Sequence, residues 1–164
     1  MNPGKPRIMR SSVAEASAHA HAEREPVFVP ADSYVDDRGW SVLNLLQGVL
    51  RPEGQVNYTA LFPGVIKAWH RHQKQADFWI AGCGHIRAGI HREDDDQTWT
   101  IIFGEKNPGT LIIPPPLWHG AATVGPTTAT LLYYVTQSYD PNHPDEERRP
   151  YDALPDFPWT TQHR

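Results

Sequence analysis

The sequence predicts an all-β domain, and three observations carry the prediction. Sixteen Pro and twelve Gly punctuate the chain while helical periodicity is sparse, the mark of a turn-rich β protein. Short apolar stretches recur at intervals of about ten residues between Pro/Gly turns, which fits a sandwich or small barrel. The longest stretch, residues 127–136, places Ala129, Leu131, Tyr133 and Val135 on one face of a strand.

Taken in order, residues 1–25 are polar and poor in large apolar groups, and are expected to be a disordered or arm-like N-terminus, at most a frayed short helix. His19 and His21 lie there and read as solvated. Val27-Phe28-Val29 reads as an edge strand able to pair with a partner subunit. Asp36-Asp37-Arg38-Gly39 and Arg51-Pro52-Glu53-Gly54 are turns. Strands are then expected at 55–62, 65–72, 77–81, 85–91, 99–103, 110–114, 121–124 and 127–136. Gly82-Cys83-Gly84 reads as a hairpin tip, and Glu93-Asp94-Asp95-Asp96 as a solvated acidic turn. The barrel is expected over 26–140, followed by a Pro-rich tail, 141–164, packing on it through Tyr151, Phe157 and Trp159. No repeat period is present.

At 164 residues the chain fits one domain with a real core. A formal charge of −4 offers no basic surface for nucleic acid. The single Cys83 excludes an intrachain disulfide and fits a reducing cytosol. No apolar run approaches the ~20 residues needed to cross a bilayer, and no secretory leader is recognisable, so a cytoplasmic protein without membrane partners is expected.

The chemistry concentrates in residues 64–84. His70 and His72 are two apart, so on a strand both imidazoles project to one face. Asp77 follows at an odd offset from His72, but Gln73-Lys74-Gln75 reads as a turn that frees it to swing back. His119 lies near the end of a later hydrophobic group. Three imidazoles and a carboxylate that converge in a barrel make either a metal site or a proton-transfer site. The bland alternative is packing, since a His-x-His pair beside Trp69 satisfies hydrogen bonds in many cores. His85 and His91 read as solvent-facing, His143 and His163 as surface, and Arg148 and Arg149 as solvated. Among the tryptophans, Trp69 and Trp118 adjoin the site histidines and are the candidates to stack on a ligand ring.

The spacing Gly64, five residues, His70-x-His72, four residues, Asp77, six residues, Gly84 resembles the first cupin signature, with Asp77 where that signature has Glu. Pro114-Pro115-Pro116-Leu117-Trp118-His119 resembles the second, with Pro116 in place of Gly. The resemblance implies a double-stranded β-helix, the jelly-roll barrel of the cupins, with the site in its mouth. A narrower resemblance joins residues 36–160 to the dTDP-4-dehydrorhamnose 3,5-epimerase family. It rests on Asp37-Arg38-Gly39, on the run from Gln55 and Asn57 to His70, on Ile113 to Gly120, and on Leu131 to Pro141.

That resemblance implies an isomerase that removes a proton α to the ketone of a dTDP-4-keto-6-deoxyhexose or related nucleotide sugar, without a cofactor, as a homodimer. It puts His70 on the catalytic base, Lys67 on a substrate-binding cation, and Gln55, Asn57 and His119 in the substrate site. Tyr133 falls on the first of two tyrosines. The second, the family's acid, falls on Ser138, with Tyr139 one position away. By strand parity alone Lys67 faces away from His70, so a bulge is required for it to serve the same site. His72 and Asp77 replace a glutamine and a lysine of the family. The alternative is a metal-dependent cupin in which His70, His72, Asp77 and His119 hold a divalent transition metal, or a cupin that binds sugar without turnover.

Overall fold

The computed structural model describes residues 2–161, so His163 lies outside the described residues. The first elements are β1 (Arg7–Ile8), α1 (Val13–Glu23), β2 (Val27–Pro30), β3 (Ser33–Asp36) and β4 (Gly39–Val42). The barrel strands follow as β5 (Gln55–Leu61), β6 (Ile66–Arg71), β7 (Asp77–Cys83), β8 (His85–Arg92), β9 (Gln97–Gly104), β10 (Gly109–Ile113), β11 (Trp118–Val124) and β12 (Ala129–Val135). A two-residue strand, β13 (Glu147–Arg148), closes the series.

Two sheets face each other, as a double-stranded β-helix requires. The larger runs β1-β2-β10-β7-β12-β5 and the smaller β13-β6-β11-β8-β9. Strand alternation builds the core between them. Phe28, Leu61, Trp79, Leu111, Ile113 and Leu131 of the larger sheet meet Ile86, Ala88, Ile90, Trp99, Phe103 and Ala121 of the smaller. The acidic stretch turns β8 back onto β9 as expected. Among the described residues no helix is long and apolar enough to cross a membrane.

Several expectations need correction. The N-terminal arm is ordered. Ser12 caps α1 with a reciprocal capping box, its Oγ accepting from the Glu15 N–H while the Glu15 carboxylate accepts from the Ser12 N–H. Val13, Ala16 and Ala20 form one buried stripe on the outer face of the larger sheet, against Val27, Val29, Phe78 and Ile112. Second, Val27–Val29 is no free edge: β2 pairs with β10 on one side and β1 on the other, so its hydrogen bonds are spent within its own chain. Third, Gly82-Cys83-Gly84 is not a hairpin tip. β7 belongs to the larger sheet and β8 to the smaller, so the segment is a corner between sheets. Gly84 has φ +68°, and a Cβ there would sit 3.2 Å from the Ala129 Cα. Fourth, His91 is buried, its ring bonded to Asp96 at 3.0 Å across the acidic turn.

The tail crosses the outer face of the smaller sheet. Phe157 and Trp159 bury against Trp69, with ring centroids 5.0 and 4.9 Å away. Gly89 leaves the room, since a Cβ there would meet Phe157 and Trp159 at 2.6 Å. The Tyr151 ring is exposed, contrary to expectation. That residue holds the tail through its carbonyl, which accepts from the indoles of Trp69 and Trp159. Arg149 is not simply solvated either: it bonds Glu93 at 2.5 Å and stacks on Trp118 at 4.0 Å.

Candidate active site in the barrel mouth

The four residues singled out by spacing meet. One ligand-type atom from each of His70, His72, Asp77 and His119 lies within 4.8 Å of those of the others. The elements explain why. His70 sits on β6 and pairs directly with His119 on β11, bringing their ring centroids to 4.1 Å. His72 lies just past β6, its ring 5.7 Å from His70. Asp77 begins β7 in the opposite sheet and reaches across to His119, with 3.6 Å between Oδ2 and Nε2.

Backbone carbonyls orient two of the rings. His119 Nδ1 donates to Leu117 O at 2.9 Å, and His72 Nδ1 donates to Asp145 O. Both are thereby left with a bare Nε2 lone pair directed at the cluster. The Asp77 carboxylate accepts from Trp79 Nε1 at 3.0 Å and from Gln75 Nε2 at 3.1 Å. Burial by itself would raise its pKa, but the neighbouring His119, and after it His72 and His70, outweigh burial and hold it well below the usual carboxylate range. His70 behaves oppositely. Burial, then the neighbouring His119, press its pKa well below the ordinary 6.5, so the ring is neutral at pH 7.

Lys67 reaches the same cavity as His70, against simple strand parity. Between the pairs His119–His70 and Ala121–Lys67, β11 advances two residues and β6 three. That extra residue is a bulge, and it flips the parity of everything before it. Gly120 makes the bulge possible, because a Cβ there would lie 2.3 Å from the Ala68 Cβ. Lys67 Nζ then donates to Thr59 Oγ1 at 2.7 Å.

The cavity holds about 980 Å³. Gln55, Asn57 and Thr59 line one wall from alternate positions of β5, and Gln55 Nε2 donates to Asn57 Oδ1 at 3.1 Å. Tyr133 faces in from β12, beside Asn57 and Trp79. Burial first, then the Asp77 charge, raise the pKa of its phenol, which therefore keeps its proton. Tyr139 sits at the rim with an exposed ring and its N–H on Gln55 Oε1. Tyr134 points the other way, into the core beneath α1, where its hydroxyl accepts from the Arg51 N–H.

Trp69 borders the cavity, but the rings of Trp69 and Trp118 are both packed on the outer side of the sheet. Each is the immediate strand neighbour of a site histidine, so each side chain faces outward. Trp69 is buried under the tail, and Trp118 under Arg71 and Arg149. Trp79 is the tryptophan at the site, nearly parallel to the His70 ring at 6.3 Å. Its i, i+2 relation to Asp77 was the available signal. The sequence offered no local signal for the segment after β12: Gln137, Asp140, Asp145, Glu146 and Arg148 also line the cavity.

A double-stranded β-helix with two histidines at the end of one strand, a carboxylate and a distal histidine gathered in its interior has the architecture of a cupin. No established family profile matches the chain. It is 38% identical over 137 residues to the spore coat polysaccharide biosynthesis protein SpsL of Bacillus subtilis, spanning 79% of this chain and 91% of that protein. It is 39% identical over 101 residues to a probable low-salt glycan biosynthesis epimerase of Haloferax volcanii, spanning 58% and 65% of the two chains. Among solved structures, a dTDP sugar isomerase from Desulfovibrio desulfuricans superposes with a TM-score of 0.71 at 24% identity, covering 82% of this chain and 90% of that one. The chain belongs to the same family as SpsL, and its double-stranded β-helix is the fold of the sugar-epimerase cupins.

Proposed function

We propose that the protein removes and returns a proton next to the ketone of a nucleotide-linked 4-keto-6-deoxy sugar, with a dTDP-linked hexose as the first substrate to test. The observation that supports this best is the neutral His70 ring, held low in pKa by burial and facing the cavity with no protein hydrogen bond of its own among the described residues. Such a ring takes the C–H proton while the electron pair moves onto the ketone oxygen as an enolate. Lys67 is the cation that reaches this cavity from β6, suited to the oxyanion. Tyr133 holds its proton on the opposing sheet and returns it to carbon from the other side, which inverts the centre. The enzyme then exchanges protons with water to restore both groups. Tyr139 is the alternative acid, at the rim. Gln55 and Asn57 would bind sugar hydroxyls. This reading needs no cofactor.

The test is deuterium incorporation from solvent into a dTDP-4-keto-6-deoxyhexose. Exchange that vanishes in His70→Gln supports the proposal. Undiminished exchange in that variant overturns it.

A second reading has its own observation. Among the described residues His119 Nε2 is buried without a hydrogen-bond partner, 3.6 Å from the Asp77 carboxylate. With Nδ1 of His72 and His119 committed to carbonyls, the set has the outer support typical of metal ligands. His70, His72, Asp77 and His119 fit a divalent transition metal, which would supply a Lewis acid for a keto oxygen. Metal analysis of protein purified without chelator, repeated on His72→Ala, tests this reading: one equivalent that the variant loses supports it.

We also propose a homodimer. The β3–β4 hairpin leaves Tyr34, Val35 and Trp40 exposed, and the edge strand β5 leaves Val56 and Tyr58 exposed, apolar side chains of the kind a second copy would cover. Light scattering on a sizing column tests it, with Trp40→Ser expected to shift the protein to monomer.

A further inference from the structure

We propose that Asp145 is the positioning residue of the site: it sets the tautomer of His72 and holds the loop between His72 and Asp77 in place. The inference rests on the reading that the histidine cluster is the reactive centre, but its test does not.

Asp145 lies 73 residues downstream of His72, in the Pro-rich segment after the barrel. Its carboxylate accepts three consecutive main-chain N–H groups: Gln73 to Oδ1 at 3.0 Å, Lys74 to Oδ2 at 2.9 Å and Gln75 to Oδ2 at 3.1 Å. Three amides turned toward one carboxylate form an anion cradle, and an anion inside it shields the repulsion among their dipoles. The same residue's carbonyl takes the Nδ1 proton of His72.

Both functions act on the cluster. The clamped loop joins His72 to Asp77, and its last clamped residue, Gln75, donates to the Asp77 carboxylate at 3.1 Å. The carbonyl contact places the His72 proton on Nδ1 and leaves Nε2 as an acceptor among His70, Asp77 and His119. Without it His72 is free to carry its proton on Nε2, which would present a donor where the site needs a lone pair. The neighbouring Glu147 ties the same segment to Arg71 at 2.9 Å and to Gln73 at 2.7 Å, and among the described residues it makes no hydrogen bond to His72. It is therefore the control that separates a loosened segment from a lost clamp.

The experiment is long-range ¹⁵N–¹H NMR of the histidine side chains in the wild-type chain, Asp145→Asn, Asp145→Ala and Glu147→Gln. Asparagine keeps one acceptor for Gln73 but turns an NH₂ toward the other two amides, so it disturbs the clamp with little change in volume. The expected result is a pure Nδ1–H tautomer of His72 in the wild type and in Glu147→Gln, and a mixture in both Asp145 variants. Deuterium exchange into the keto sugar is expected to fall about tenfold or more in kcat in Asp145→Asn with little change in KM, the scale typical of losing an outer-shell partner. An Nε2–H His72 in the wild type overturns the inference. So does an unchanged tautomer in both Asp145 variants, or an equal shift in Glu147→Gln. A wild-type protein that exchanges no proton counts against the proposed reaction alone, because the tautomer still reads out Asp145.

Discussion

His70 differs from its neighbours in one respect that governs its chemistry. His72 and His119 are each held through Nδ1, whereas among the described residues the His70 ring makes ring contacts and no hydrogen bond. The parity that put His70 and His72 on one face was legible in the sequence, and the same parity places Trp69 and Trp118 outside. His70→Gln is expected to lower proton exchange by about 10²–10⁴-fold with the fold intact by circular dichroism. Tyr133→Phe should uncouple exchange from inversion: label still enters, but product stereochemistry, read by NMR, does not change. The depressed pKa of His70 also carries a pH signature. Folded protein binds fewer protons at this ring than unfolded chain, so its contribution to stability is full above the ordinary 6.5 and declines as pH falls through that value. Urea midpoints measured between pH 7.5 and about 5 should fall less steeply in His70→Gln than in the wild type. The acid limb of kcat/KM should likewise lie below pH 6.5.

At the scale of elements, the bulge in β6 decides what the site contains. A regular strand would put Lys67 outside and leave the cavity without that cation. The sequence shows Lys67 three residues before His70 but cannot show the extra residue, because a bulge is defined against its partner strand. Gly120 is that partner's contribution. Gly120→Ala is expected to destabilise the protein by about 1–3 kcal/mol, as overpacking does, and to weaken substrate binding through Lys67. Denaturant unfolding and KM check the two effects separately. The corner at Gly84 makes the same point: glycines around Cys83 signalled a reversal, yet only the pairing of β7 with β12 and of β8 with β11 shows that the chain changes sheets there. By contrast the start of α1 was written locally, in Ser12 and Glu15, although polar composition masked it.

At the scale of the molecule, the tail is a structural layer. It covers Trp69 and Trp118, adds β13 to the smaller sheet, and through Asp145 reaches the active-site loop. Phe157→Ala removes an aromatic packed edge-on against Trp69 and is expected to cost about 3–5 kcal/mol, measurable as a shift in urea midpoint. Because the same tail carries Asp145, the loss should also broaden the His72 signals.

The sequence by itself determined the fold class and the identity of the cluster. Alternation and turn chemistry act over a few residues, and the spacing of His70, His72, Asp77 and His119 is a local record of where strands begin and end. Tertiary structure decided which tryptophan faces the cavity and whether Lys67 enters it. It also decided what orients His72. Those outcomes depend on pairing between segments as far apart as residues 72 and 145, where no local pattern records the partner.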